Sequence, residues 1–274
     1  MGGTLLGRRR DYPTTVDPSV LFPVARAQAR DPLGLDAVAL PFTGADIWNA
    51  WEFSWLDARG LPRVAVLRLS VPCTSPNLVE SKSLKLYLGG YAMTPFTGPE
   101  AARTRVERDV SGCVDAKVAV SLLDPRELER AGIAPLAGES LDDQRIEADA
   151  HGPPRPDLLQ TRAGTAVEET LSTRLFRSLC PVTGQPDWAS VVLRYRGPAI
   201  DHAGLLRYLV SYRDHPDFHE ACVERIFGDV MARCAPQGLS VHARFLRRGG
   251  IDINPWRATP RFAAAPGNPR EVRQ

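Results

Sequence analysis

Four residues spaced along one face of a helix, Leu84, Tyr87, Leu88 and Tyr91, recur later in the chain as Leu205, Tyr208, Leu209 and Tyr212 at a constant offset. Residues three and four apart form one stripe that packs a helix onto a core. The recurrence therefore predicts two helices performing the same packing task. The strands before them agree, since Val66-Leu67-Arg68 matches Val192-Leu193-Arg194. Leu and Tyr are common on amphipathic helices, so the order of the surrounding elements has to decide. That order also repeats, and we read a duplication. A chain of 274 residues is comfortable for two domains of roughly 100 to 150 residues each.

Residues 1 to about 40 are rich in Pro, Arg and Asp and show little periodicity, so they read as an arm around the body or a partner subunit. From Ile47 the pattern becomes strand, turn, strand: an aromatic run from Trp48 to Leu56, a turn at Asp57-Ala58-Arg59-Gly60, then Val64 to Val71. A helix is expected from Glu80, a second from Pro99 to Asp109, and a strand from Ala116 to Leu123. Asp124 to about Gly164 has the irregular Pro, Gly and acid content of a linker. The second half repeats the plan. Strands from Val167 to Leu179 and Ala189 to Tyr195 precede a helix capped by Asp201, then one opened by Pro216, then strands including Leu239 to Arg247.

Composition narrows the partners. A net charge of +2 gives no general reason to expect nucleic acid or an acidic membrane surface. No apolar run reaches the roughly 20 residues that span a bilayer, and the start lacks a secretory core. Gly2 follows Met1 as in a myristoylation signal, but the next residues fit that signal poorly. The five cysteines are odd in number and never form C-x-x-C pairs, so they read as free thiols of a reducing cytoplasm, with no metal site.

One segment holds the clearest chemistry. Leu179-Cys180-Pro181-Val182-Thr183-Gly184-Gln185-Pro186-Asp187-Trp188 sets a thiol and a carboxylate on a stretch that cannot be helical, because two prolines remove amide donors and Gly184 invites a turn. Strand-like flanks place this loop at a sheet rim. Cys180 there reads as a nucleophile and Asp187 as its proton donor; composition alone favours the blander reading of a buried apolar thiol. Phe218-His219-Glu220 falls in the first turn expected after Pro216. Glu220 there either favours the helix dipole or accepts hydrogen bonds from the adjacent N–H donors of a flat heterocycle on which Phe218 stacks. Glu80, read as starting the equivalent helix of the first half, has the same two readings. Lys82, Lys85, Arg247 and Arg248 beside Gly249-Gly250 suit phosphates, or are solvated surface charge. No G-x-G-x-x-G follows a strand, so any nicotinamide cofactor is held without a Rossmann fingerprint. Cys73, Cys113, Cys222 and Cys234 read as structural.

Taken together, Glu80-Ser81-Lys82-Ser83-Leu84-Lys85-Leu86-Tyr87, the Cys180 to Trp188 loop, Phe218-His219-Glu220 and Arg247-Arg248-Gly249-Gly250-Ile251-Asp252-Ile253-Asn254-Pro255 resemble, in order, the motifs of the QueF nitrile reductases of the queuosine tRNA-modification pathway. The likeness runs from about Asp31 to Arg257 and has the motif order of the long, two-module form. It implies an α+β chain of tandem tunnelling-fold (T-fold) modules related to GTP cyclohydrolase I, each two strands, two helices and two strands, whose antiparallel sheets assemble into a barrel. The implied division is an arm over 1–45, modules over 46–150 and 151–258, and a tail over 259–274. The resemblance further implies NADPH-dependent reduction of 7-cyano-7-deazaguanine to 7-aminomethyl-7-deazaguanine through a cysteine thioimide, in a homodimer. Carried over residue by residue, Cys180 is the nucleophile and Asp187 the acid. Val79, Glu80, Ser81, Phe218, His219 and Glu220 hold the substrate, and Ser81, Lys82, Arg248 and Gly249 contact NADPH. The competing readings are a zinc-dependent cyclohydrolase on the same fold and a non-catalytic purine-binding protein.

Overall fold

Strand, strand, helix, helix, strand is the path of the chain in both halves. The computed structural model describes residues 13–148 and 151–274. It divides into one unit of Met1–Leu40, Ala45–Gly132 and Arg247–Asp252, and a second of Pro41–Gly44, Ile133–Leu246 and Ile253–Gln274. The myristoylation reading of Gly2 and the first part of the arm lie outside the described residues.

In the first unit, β1 (Thr43–Leu56) and β2 (Pro62–Pro72) form an antiparallel hairpin, followed by α1 (Ser81–Gly89), α2 (Pro99–Val114) and β3 (Ala119–Leu123), which pairs with β2. The hairpin closes through Asp57 N–H to the Leu61 carbonyl at 2.9 Å. Backbone amides of Leu61 and Arg59, then Arg63, bond the Asp57 carboxylate and hold its pKa at about 2. After β3, Asp124 accepts from Arg126 N–H at 2.8 Å and caps a helix over Pro125–Ala131. This unit therefore has one strand after its helices where the resemblance implies two, and the expected linker is partly helical. The arm is tied to its own unit. Pro23–Ala25 pairs with Asn77–Val79, and the buried Arg26 bonds Asp46 at 2.5 Å.

The second unit runs β4 (Val167–Leu179), β5 (Pro186–Gly197), α3 (His202–Val210), α4 (His219–Cys234), β6 (Gly238–Phe245) and β7 (Ile251–Ala258), whose first two residues belong to the first unit. Its antiparallel sheet has the order β7-β6-β5-β4, with Glu139–Ser140 parallel at the β4 edge. On β6, Leu239, Val241, Ala243 and Phe245 are all buried, as alternation predicts. Pro216 does not open α4. It bridges to Leu179, and the helix begins at His219 behind Phe218.

Internal geometry carries the duplication further than the sequence does. In the first unit the Tyr87 hydroxyl meets that of Tyr91 at 2.6 Å and donates to Asp109 at 2.9 Å. In the second, Tyr208 meets Tyr212 at 2.8 Å and donates to Asp229 at 2.6 Å. Each second tyrosine packs 5.2 Å from a phenylalanine, Phe53 or Phe176, that follows a β-bulge in the first strand. The copies differ in charge. Burial raises Asp109, but hydrogen bonds from Arg105, Tyr87 and Arg108 outweigh it and hold the carboxyl below its usual range. Burial of Asp229 prevails over Tyr208 and Arg225, and its pKa is raised.

His242 on β6 is buried with Nε2 lacking a hydrogen-bond partner, and burial together with the charge of Arg244 lowers its pKa to about 3. The unfolded chain takes up a proton below about pH 6.5 that the folded chain refuses, so stability falls with falling pH between those values, by about 1.4 kcal/mol per unit. We expect His242→Leu to remove about 2 kcal/mol of the stability difference between pH 7 and pH 5. Urea midpoints of both proteins at the two pH values check this; equal pH dependence would refute it.

Candidate active site

The cysteine loop is the turn of the β4–β5 hairpin. Cys180 N–H donates to the Gln185 carbonyl at 2.8 Å, Gly184 N–H returns to the Cys180 carbonyl at 3.0 Å, and Gly184 takes the left-handed φ of +67° that the turn needs. Leu179 pairs with Pro186, and Ser178 with Asp187, at the end of the ladder. Cys180 follows the last residue of β4 and Asp187 is the second residue of β5, so the two stand at the same end of the hairpin. The thiol and the carboxylate are both buried.

The start of α4 closes on this hairpin. Leu179 N–H donates to the His215 carbonyl at 2.9 Å, and Asp217 N–H to the Leu179 carbonyl at 3.1 Å. His219 Nε2 then lies 3.2 Å from Asp187 Oδ2, while its ring stacks on Phe245 at 3.8 Å and 8°. His219 Nδ1 is buried without a hydrogen-bond partner. Phe218 is half-buried at the helix N-cap, and Glu220 is buried in the first turn. One unit thus holds a thiol, a carboxylic acid, an imidazole joined to that acid, and a second carboxylate at a helix start.

Val79, Glu80, Ser81 and Lys82 sit in the first unit at the start of α1, and Arg248 and Gly249 lie in the same unit. Glu80 is buried, and its carboxylate caps α1 by accepting from Lys82 N–H at 2.8 Å and Ser83 N–H at 2.7 Å. The expected equivalence of Glu80 with Glu220 is corrected by the topology. Glu80 corresponds to Asp201, the cap of α3, whereas α4 corresponds to α2, which opens at Pro99-Glu100. The turn at Arg248 is closed by its N–H donating to the Ile251 carbonyl at 2.9 Å. Gly249, at φ +60°, lies so near Lys85 that a Cβ would meet its Cε at 3.2 Å and Nζ at 3.3 Å. Lys85 thus lies against the Arg248-Gly249 turn, a cradle of basic residue types around a glycine. Arg247 is engaged elsewhere, by Glu52 and over the Trp51 ring.

Known proteins resemble this chain along most of its length. The profile described as "Nitrile reductase, 7-cyano-7-deazaguanine-reductase N-term" matches residues 12–122, and that of a "QueF-like protein" matches residues 186–263. An NADPH-dependent 7-cyano-7-deazaguanine reductase of Stenotrophomonas maltophilia (strain K279a) is 57% identical over 98% of this chain and 97% of its own length. One from Bordetella pertussis (strain Tohama I) is 53% identical over 98% of this chain and 96% of its own. The chain belongs to the NADPH-dependent 7-cyano-7-deazaguanine reductase family. A crystal structure of an archaeosine synthase QueF-like protein in the apo form, 17% identical, overlaps 38% of this chain and 100% of its own at a TM-score of 0.32, too little to bear on the fold.

Within this reductase-family chain burial also acts on the other thiols. Burial pushes the Cys113 and Cys234 thiols up to about 11 and raises Cys222 well above its ordinary value. Cys73 is buried in the first unit. Among the described residues no three His, Cys, Asp or Glu side chains gather as a metal site, and no helix is long and apolar enough to cross a membrane. Phe245, which fixes the His219 ring, escaped the sequence reading. Alternation on β6 marks it as core but does not say what it packs against.

Proposed function

We propose that this chain reduces the nitrile of 7-cyano-7-deazaguanine to the aminomethyl group with two NADPH, using Cys180 as a covalent nucleophile. The observation that supports this most directly is the pairing of a buried acid, Asp187, with His219 beside the hairpin turn that carries Cys180. A nitrile is a weak electrophile. The Cys180 thiolate adds to its carbon, one C–N π bond breaks, and the electron pair on nitrogen takes the Asp187 proton, giving a thioimide. NADPH, when bound, supplies the hydrides, and we assign Ser81, Lys82, Arg248 and Gly249 to holding it, with Lys85 completing the cradle. Each reduction adds one hydride to carbon and one proton to nitrogen. After the first, the C–S bond of the hemithioaminal breaks, Cys180 leaves with the electron pair, and an imine remains; the second yields the amine. The imine hydrolyses readily, so exclusion of water protects the product.

We assign Glu220 to accepting the heterocycle's N–H donors, Phe218 to stacking on it, and His219 to orienting Asp187 while its Nδ1 meets the substrate. Val79, Glu80 and Ser81 are assigned to the same substrate. The assembly we propose is a homodimer of cytoplasmic chains with T-fold modules over 46–150 and 151–258 closing a barrel. Intact-mass measurement after incubation with 7-cyano-7-deazaguanine, without NADPH, tests the reading. One adduct located on Cys180 supports it, and an unmodified chain that still binds the compound overturns the covalent route.

A further inference from the structure

Across β4, β5 and β6 of the second unit, Phe176, Ala189 and Phe245 are register partners in a single row. That row is two residues from Asp187 on β5 and supplies the Phe245 ring under His219. Its backbone is gripped by the segment Glu271–Gln274. Arg273 donates from Nη1 to the Ala189 carbonyl at 3.1 Å and from Nη2 to the Arg174 carbonyl at 2.6 Å. Arg174 lies in the β4 bulge, where the ladder register shifts between Thr173 and Phe176, so the guanidinium bonds a carbonyl at the interruption of the β4–β5 pairing. Gln274 donates from Nε2 to the Phe245 carbonyl at 3.1 Å and to Asn254 Oδ1 at 2.5 Å, and its Oε1 accepts from Arg244. Glu271, also buried, accepts from the Ser190 hydroxyl at 2.7 Å. Ser190 and Arg244 alternate with Ala189 and Phe245, so the segment lies across the face opposite the Phe245 ring.

We propose that Arg273 and Gln274 are positioning residues for the acid of the reaction, holding the Phe176, Ala189 and Phe245 row in place so that Phe245 keeps His219 against Asp187. They act through the backbone of the row and touch neither substrate nor cofactor. The inference rests on the reading of Asp187 as the proton donor and adds a second element, distant in sequence, that sets its geometry. Small displacements of an acid from a reacting atom cost rate far more than they cost binding.

Arg273→Met and Gln274→Leu test it in the full chain. With saturating 7-cyano-7-deazaguanine and no NADPH, the rate of Cys180 adduct formation should fall on the order of 10- to 100-fold in each variant. Substrate affinity, measured in a Cys180→Ala background, should change by no more than about twofold. The NMR signals of the His219 ring protons, displaced by the ring current of the stacked Phe245, should move away from that position in both variants without any substrate present. Gln274→Leu keeps the Arg273 grip and serves if Arg273→Met fails to fold. Wild-type adduct rates, or rate and affinity falling in parallel, would overturn the proposal. A wild-type chain that forms no adduct defeats the covalent reading, whereas unmoved His219 signals in both variants defeat the clamp.

Discussion

Cys180→Ala should reduce nitrile turnover by on the order of 10⁴-fold or more and abolish the covalent adduct, while binding of 7-cyano-7-deazaguanine survives. The size follows from the chemistry. Without sulfur addition, hydride would have to attack an unactivated triple bond, and neither Asp187 nor His219 can supply a replacement nucleophile of comparable strength. Cys113, Cys222 and Cys234 are poor replacements, since burial raises each thiol above its ordinary value and keeps it protonated at neutral pH. The substitution removes one sulfur atom at a hairpin turn, so stability should change by about 1 kcal/mol or less, and circular dichroism will separate lost chemistry from lost folding. Retained turnover in the alanine variant would sink the mechanism outright.

The largest effect on stability should come from Arg257→Met. Arg257 is fully buried in the second unit, and its Nε and Nη2 donate to Glu224 Oε1 at 3.0 and 2.8 Å, while Nη1 donates to the Trp256 carbonyl at 2.8 Å. Its guanidinium also lies 5.6 Å over the Phe42 ring. Removing the cation takes its compensating charge from a buried carboxylate, which costs about 3–5 kcal/mol. The melting temperature should drop on the order of 10 °C. Glu224→Met in the same chain removes the stranded charge as well, so the double variant should recover most of the loss. A double variant no more stable than Arg257→Met alone would show that the cost lies in packing around the arginine stem and not in the charge.

How far the sequence could be read depended on whether a property is local. The Leu and Tyr stripe, the prolines around Gly184 and the alternation on β6 are short-range signals, and each produced the element expected of it. Helix starts were read less well. Pro216 looks like a first-turn proline, yet its neighbour Leu179 takes it into a bridge and the helix waits for His219. The mistaken pairing of Glu80 with Glu220 has a similar cause: both carboxylates stand at helix starts, and only the chain path shows that one helix is first of its pair and the other second. Contacts between distant segments left no local trace. The stack of Phe245 on His219 and the grip of Arg273 on the β4 bulge join positions far apart in sequence, and no periodicity encodes such a meeting. For the same reason a tail to which the sequence assigns no role holds several well-bonded side chains of its unit.

Both hairpins close from the first residue past the strand, Asp57 N–H reaching Leu61 in one and, across a turn one residue longer, Cys180 N–H reaching Gln185 in the other. Aspartate thus occupies, in the older or younger twin, the place where its sibling keeps sulfur. If that sulfur is the one that adds to the nitrile, saturating label should stop at a single equivalent per polypeptide.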